Sequence, residues 1–296
     1  MNCLAFSVTF LLLMNSVQCG KHLLKDRGLA DILYHHAWQF IPRETCGLVN
    51  QDRIVGGTTA NLGAYPWMAR IVFAIDPSKP EKKTPGCGGA LTNERYVVTA
   101  AHCVVSMEEP DCDEVTKVCA PLAQYIRVEE IHSHLAYGAE GYLYDITLLR
   151  LQHPAVLNDF VKAICLPEGE LLHKNFTGSK ATVAGWGTIE IVNRTTASVL
   201  QELTVPIKAL NECVPYFNTK LDEDIQICAG GEVGHDSCTG DSGGPLMKVE
   251  FIGSQPQYYF LGVVSFGSST CGGSTAPAIY TRVSSLLPWI LDRIRP

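Results

Sequence analysis

From Ile54 onward, apolar positions fall in short runs broken by glycine, proline and asparagine, the punctuation of β-strands joined by turns. Met68 to Ala74, Tyr96 to Ala100, Tyr125 to Ile131, Ala181 to Ala184, Leu203 to Ile207 and Tyr258 to Ser265 are read as strands. The last segment changes period. Leu287, Ile290, Leu291 and Ile294 recur at helical spacing, which predicts a C-terminal helix capped by Ser284 or Ser285. Residues 20–53 differ from the rest of the chain: they are rich in His, Leu and charge and end at Gln51-Asp52-Arg53. No internal repeat or low-complexity tract is present. The pattern predicts an all-β body closed by a helix.

Composition narrows the setting. The chain has 296 residues, 46% hydrophobic and 18% charged, enough to bury a core as one large or two small domains. A net charge of −7 without a Lys/Arg-rich stretch argues against nucleic acid as a partner. The apolar stretch Leu4 to Met14, with Ser16 and Val17 before Cys19, predicts a signal peptide over 1–19, although no Lys or Arg precedes it. The run is short for a span, and no later run reaches eighteen apolar residues, so no membrane partner is expected. Of twelve cysteines, Cys3 and Cys19 fall in the leader, and the even remainder suits an oxidising compartment. The acceptor sequons at Asn175 and Asn193 fit the same secreted, extracellular location.

Three short motifs carry the chemistry. Gly240-Asp241-Ser242-Gly243-Gly244-Pro245 offers a serine on a glycine-rich turn. Thr99-Ala100-Ala101-His102-Cys103 lies upstream, and between them Asp145 opens the apolar run Asp145 to Leu151. A serine hydroxyl is a poor nucleophile until a base takes its proton, and an imidazole works best when a carboxylate fixes its tautomer and stabilises its charge. The chain supplies His, Asp and Ser in that order, one of the orders in which such triads occur.

Over 54–296 these motifs, with Ile54-Val55-Gly56-Gly57, Ala184-Gly185-Trp186-Gly187 and Pro277-Ala278-Ile279-Tyr280, resemble the chymotrypsin/trypsin family of serine proteases. The resemblance implies two packed antiparallel β-barrels with a C-terminal α-helix and the triad His102, Asp145, Ser242 in the cleft between them. It implies an oxyanion hole from the N–H groups of Gly240 and Ser242. It implies activation by a cut between Arg53 and Ile54, the new α-amino group pairing with Asp241. Asp236 stands at the floor of the specificity pocket, the place of an acid that pairs with a substrate Arg or Lys. Ser265-Phe266-Gly267 resembles the strand that binds substrate backbone. Phe266 replaces a Trp found in most relatives, and Ala278 replaces a Gly on the pocket wall, where one methyl narrows the slot.

By resemblance, Cys87 pairs with Cys103, Cys213 with Cys228, Cys238 with Cys271, and Cys46 with Cys165, tying a prosegment over 20–53 to the protease domain. Cys112 and Cys119 are left to close a small loop. A further bridge of many relatives is missing at both ends, with Ala181 and Lys248 in its places. The details also resemble arthropod haemolymph proteases that usually carry a clip domain, but such a domain needs six cysteines and residues 20–53 offer only Cys46. The segment from His102 to Cys112 is short and departs from relatives where a structural calcium is often held. Glu108, Glu109, Asp111, Asp113 and Glu114 are read as a solvated acidic loop, and no metal or cofactor is expected. His35, His36, His132 and His134 are read as ordinary loop or strand histidines.

The expectation is a secreted serine endopeptidase of trypsin-like specificity, made as a zymogen, with protein substrates, an upstream trypsin-like activator and a serpin-type inhibitor as partners. An arthropod immune cascade is one setting, and a digestive or venom protease another. The alternative from a different class is an impaired protease homologue that serves as a binding cofactor.

Overall fold

The computed structural model describes residues 28–49, 59–76, 79–103, 123–190, 195–233, 237–252, 255–268, 271 and 273–296, with backbone alone for 72–76, 79–85 and 190. Among the described residues the first elements are α1 (Leu29–Leu33) and a 3-10 turn over His36–Phe40, and strands follow. Strands β1 (Met68–Asp76), β2 (Lys79–Asn93), β3 (Tyr96–Thr99), β4 (Val128–Ser133) and β5 (Thr147–Leu151) form one antiparallel sheet in the order β1-β2-β3-β5-β4. Strands β6 (Lys180–Gly185), β7 (Thr188–Glu190), β8 (Thr195–Thr196) and β9 (Gln201–Lys208) come next, β7 and β8 making a small hairpin. After the short helix α2 (Leu210–Cys213) come β10 (Gln226–Gly230), β11 (Pro245–Phe251), β12 (Pro256–Phe266) and β13 (Pro277–Arg282), then α3 (Val283–Leu291). β10, β13, β12, β11, β6 and β9 close into a six-stranded barrel, which leaves that lobe without a free edge.

Burial matches the sequence pattern. β3 is buried throughout, as its apolar run requires, and β10 is buried throughout although it starts at the polar Gln226, whereas β4 alternates half-buried and exposed positions. One apolar cluster runs from Trp67, Tyr96 and Leu148 of the first lobe to Met247, Phe260 and Val263 of the barrel, so the lobes share a core. Trp67 Nε1 donates to Met247 Sδ across that boundary at 3.3 Å. In α3 the periodic residues Leu287, Ile290 and Leu291 are buried, and Ile294 is buried just beyond the helix end. The cap differs from expectation: Ser284 and Ser285 lie inside the first turn, and Arg282 stands at the cap without a side-chain bond. Ser285 Oγ instead donates to the Asp224 carbonyl, which takes it out of competition for the helix end.

The segment before the protease body is built into the fold. Ile32, Ala37, Trp38 and Ile41 join the main core, and Trp38 Nε1 donates to the Ile32 carbonyl at 2.6 Å. Asn93 Nδ2 donates to the Phe40 carbonyl, and Gln257 Nε2 to the carbonyls of Arg43 and Cys46. Gly47 pairs with Ala163 and Tyr258 through its backbone. At φ 62°, with the Tyr258 carbonyl oxygen 2.4 Å from where a Cβ would stand, that position admits only glycine. Disulfides join Cys46–Cys165, Cys87–Cys103, Cys213–Cys228 and Cys238–Cys271. Cys112 and Cys119, the leader, Arg53, Ile54, Asn193 and the acidic stretch 108–114 lie outside the described residues. Lys248 Nζ donates to the Lys180 carbonyl at 2.9 Å.

Candidate active site

β3 delivers His102 on the turn at its end, and β5 is preceded by Asp145, which is wholly buried. Burying a carboxylate is costly unless its oxygens are met by donors. Here four donors meet them. Oδ1 accepts from the backbone N–H of Ala101 at 2.7 Å and of His102 at 3.2 Å. Oδ2 lies 2.8 Å from His102 Nδ1 and accepts from Ser265 Oγ at 2.6 Å. The Asp145 carbonyl accepts from Thr281 Oγ1 at 2.8 Å. An oxygen acceptor facing Nδ1 places the ring proton there, so Nε2 is left with its lone pair toward the cleft. Tyr144, just before Asp145, takes a left-handed backbone at φ 60°, costly for a bulky residue, and its ring stacks on buried His134 at 4.7 Å.

Ser242 sits on a turn whose flanks are strained in the way glycine tolerates. Gly240 has φ 103° and Gly243 φ 78°. The Ser242 carbonyl accepts from Gly88 N–H at 2.8 Å, and Gly243 N–H donates to Val264. A Cβ on Gly243 would stand 2.1 Å from Thr99 Oγ1 and 3.0 Å from Ala100 N, so the serine turn presses against the segment that leads to His102. Among the described residues no acceptor meets the N–H of Gly240 or Ser242.

Beside the serine, Asp241 accepts from Gly187 N–H (2.8 Å) and Cys238 N–H (2.9 Å). Burial raises its pKa above the ordinary carboxylate value, and those two backbone bonds pull it back in part. Gly185 and Gly187 cradle the carboxyl so closely that a Cβ would fall 2.0 and 2.4 Å from its atoms. A cavity of about 90 Å³ adjoins it, bordered by Val183, Thr188, Gln201, Glu202 and Ser237 among others.

The trypsin family profile matches residues 54–290. This chain belongs to the trypsin family. It is 36% identical over 281 residues to the Spaetzle-processing enzyme of Drosophila melanogaster, covering 86% of this chain and 69% of that protein. It is 38% identical over 300 residues to phenoloxidase-activating factor 3 of Holotrichia diomphalia, covering 94% and 80%. The crystal structure of Drosophila Grass, a clip serine protease of the Toll pathway, superposes with a TM-score of 0.72 at 31% identity, covering 89% of this chain and 77% of that one. The closed barrel, the second sheet and the C-terminal helix are thus the trypsin-like two-barrel fold, and the chain is a trypsin-like serine endopeptidase.

The positions expected at the specificity pocket lie on β12, β13 and the segment that leads to Ser242. Ala278 on β13 is 1% exposed and pairs with Ala229 of β10, and a Cβ on Gly267 would stand 3.3 Å from the Ala278 methyl. Ser237 Oγ lies 3.5 Å from Tyr280 OH, and Cys238–Cys271 bridges the flanking segments. Asp236 lies outside the described residues. Phe266 is flanked by Tyr142 at 4.7 Å and Phe217 edge-on at 5.2 Å, an aromatic wall next to Ser265. Sequence reasoning missed Tyr142 and Thr281, which meet Phe266 and Asp145 only when the two lobes dock, and Phe217, which meets Phe266 within the barrel lobe. Cys87 and Cys103 stand beside His102, but both sulfurs are spent in their disulfide, so this group holds no metal. His35 lies in the loop just before the 3-10 turn and His36 is its first residue. His35 Nδ1 accepts from Ala37 N–H and so caps it.

Proposed function

We propose that this endopeptidase is a secreted zymogen (signal peptide 1–19, tethered prosegment 20–53, protease domain 54–296) that cleaves protein substrates after Arg or Lys. Ser242 Oγ attacks the scissile carbonyl while His102 Nε2 takes its proton and later gives it to the leaving amine. Asp145 holds the imidazole in that tautomer and stabilises the imidazolium. The N–H groups of Gly240 and Ser242 receive the oxyanion, where loss of one donor costs ~10²- to 10³-fold in rate. Asp236 receives the basic side chain, Ser265, Phe266 and Gly267 line the substrate backbone, and Ala278 trims the slot.

The observation that carries the zymogen reading is Asp241. Its carboxyl is held by backbone donors alone among the described residues, in a glycine cradle beside a small cavity. A buried acid of this kind calls for a cation. A cut between Arg53 and Ile54 supplies an α-ammonium group, and the Arg at the cut makes the activator itself trypsin-like. Relatives named as a Spaetzle-processing enzyme and a phenoloxidase-activating factor support a place in an arthropod immune cascade, under a serpin-type inhibitor. Glycans on Asn175 and Asn193 and a Cys112–Cys119 bridge complete the secreted form.

The test is to express the precursor, cut it after Arg53, remove the cutting protease, and assay Arg, Lys and Phe peptides beside Ser242→Ala. Cleavage after Arg or Lys that appears only on cutting and vanishes in the variant is the expected result. Full activity of the uncut precursor, or preference for Phe, would overturn the reading, and a clean but inert cut form would favour the cofactor alternative.

A further inference from the structure

A loop from each lobe reaches Phe266, the residue after Ser265. The loop of the first lobe, residues 134–145, leads from β4 to Asp145 and carries Tyr142. It folds back on itself through an isolated bridge between Gly138 and Gly141, and its far end is fixed by the four donors on the Asp145 carboxyl. The loop of the barrel carries Phe217, Thr219 and Lys220 inside the ring closed by Cys213–Cys228.

The two loops touch. A Cβ on Gly141 would stand 2.7 Å from Thr219 Oγ1, and Lys220 Nζ donates to Glu140 Oε2 in an ion pair that joins the lobes. On Phe266 the Tyr142 ring lies at 4.7 Å and the Phe217 ring edge-on at 5.2 Å. Ring pairs in contact stand at least 4.5 Å apart, so a third ring between Tyr142 and Phe266 needs roughly twice that, ~9 Å. A bulky side chain therefore enters this wall only when the loops part. The Glu140–Lys220 pair opposes that parting. Its side chains are 38% and 58% exposed, so salt screens it, and a pair of this kind shifts an equilibrium by ~2- to 5-fold.

We propose that Glu140 and Lys220 are specificity-determining residues, a salt-sensitive clasp that selects against bulky side chains just upstream of the residue at the cut. This rests on the reading of Ser265, Phe266 and Gly267 as the strand that lines substrate backbone. Small upstream residues pass the closed wall, and bulky ones are accepted at the expense of the clasp.

The test uses the full chain cut after Arg53, with Gly-Gly-Arg, Gly-Phe-Arg and Phe-Gly-Arg peptides and an Arg ester that has no upstream residue. The readout is kcat/KM for each Phe peptide relative to Gly-Gly-Arg. Glu140→Gln and Lys220→Gln are each expected to raise that ratio by ~2- to 5-fold and to leave the ester unchanged. In the parent, about 0.5 M NaCl should raise it likewise, whereas the variants should respond little. Exchange of the two charges, Glu140→Lys with Lys220→Glu, should restore the parent ratio, which a merely structural effect of either substitution would not do. Ratios unchanged in the single variants, a parent ratio indifferent to salt, or no restoration by the exchanged pair would overturn the clasp while ester cleavage persists. An ester left uncleaved by the cut parent would instead overturn the protease reading beneath it, and the clasp with it.

Discussion

His134 gives a prediction whose size can be worked out. The ring is 4% exposed, stacked flat on Tyr144 and tilted against Trp289 at 5.3 Å, with Nδ1 accepting from Ala136 N–H. Burial, with repulsion from Arg293 second, pushes its pKa from 6.5 down to about 4. A histidine whose pKa is depressed in the fold costs nothing above pH 6.5, where the ring is neutral in folded and unfolded chains alike. As pH falls through 6.5 the unfolded chain takes the proton and the folded chain does not, so stability declines until about pH 4. The gap of about 2.5 pH units, at about 1.36 kcal/mol per unit, amounts to ~3 kcal/mol. His134→Asn removes the titration while keeping an acceptor for the Ala136 N–H. Urea unfolding of the inhibitor-blocked protein, monitored by tryptophan fluorescence from pH 7.5 to 4.5, should show the variant losing ~2–3 kcal/mol less over that range than the parent. The variant starts lower because it leaves a cavity, so the slopes are compared rather than the absolute values. Equal slopes would refute the assignment of this acid sensitivity to His134.

Four substitutions probe other contacts. Ser265→Ala removes one of four donors on the Asp145 carboxyl and should lower kcat by roughly 10-fold with KM little changed. Gly187→Ala puts a methyl 2.4 Å from the Asp241 carboxyl carbon, so activity after cutting should fall by ~100-fold or more while circular dichroism stays that of the parent. Gly47→Ala meets both a left-handed backbone and the Tyr258 carbonyl, and should destabilise by ~2 kcal/mol or more, read as a drop in Tm of several degrees. Ala278→Gly widens the slot by one methyl and should change the ratio of Lys to Arg cleavage by up to ~10-fold, measured with paired peptide substrates.

The strands legible in the sequence were those whose own residues decide their state. Met68–Asp76, Tyr96–Thr99, Lys180–Gly185, Gln201–Lys208 and Pro256–Phe266 coincide with the apolar runs to within a few residues. β4 starts at Val128 rather than Tyr125, because pairing with β5 and not the onset of apolar residues sets its first rung. β2 escaped notice altogether. Its Lys79-Pro80-Glu81 and Pro85-Gly86 read as turn material, yet β1 holds that stretch extended through ladder bonds. The two-barrel fold came from motifs, since alternation cannot say which strands meet. The same limit applies to the site. His102, Asp145 and Ser242 announce themselves by their flanks, whereas Thr281 and Tyr142 sit in unremarkable contexts and acquire neighbours only through topology.

The hydrogen bonds around Asp145 are drawn from both lobes: Ala101 and His102 belong to the sheet, Ser265 and Thr281 to the barrel. Turnover is therefore a gauge of how the halves are seated on each other, more sensitive than any measure of their separate strand content. A fraction of an ångström of slippage along that seam would starve the aspartate of two donors while every ladder bond within each lobe survived. On gentle heating or at low denaturant, the enzyme should fall silent while its far-ultraviolet spectrum still reports an intact β-protein, and on cooling it should recover without refolding either half.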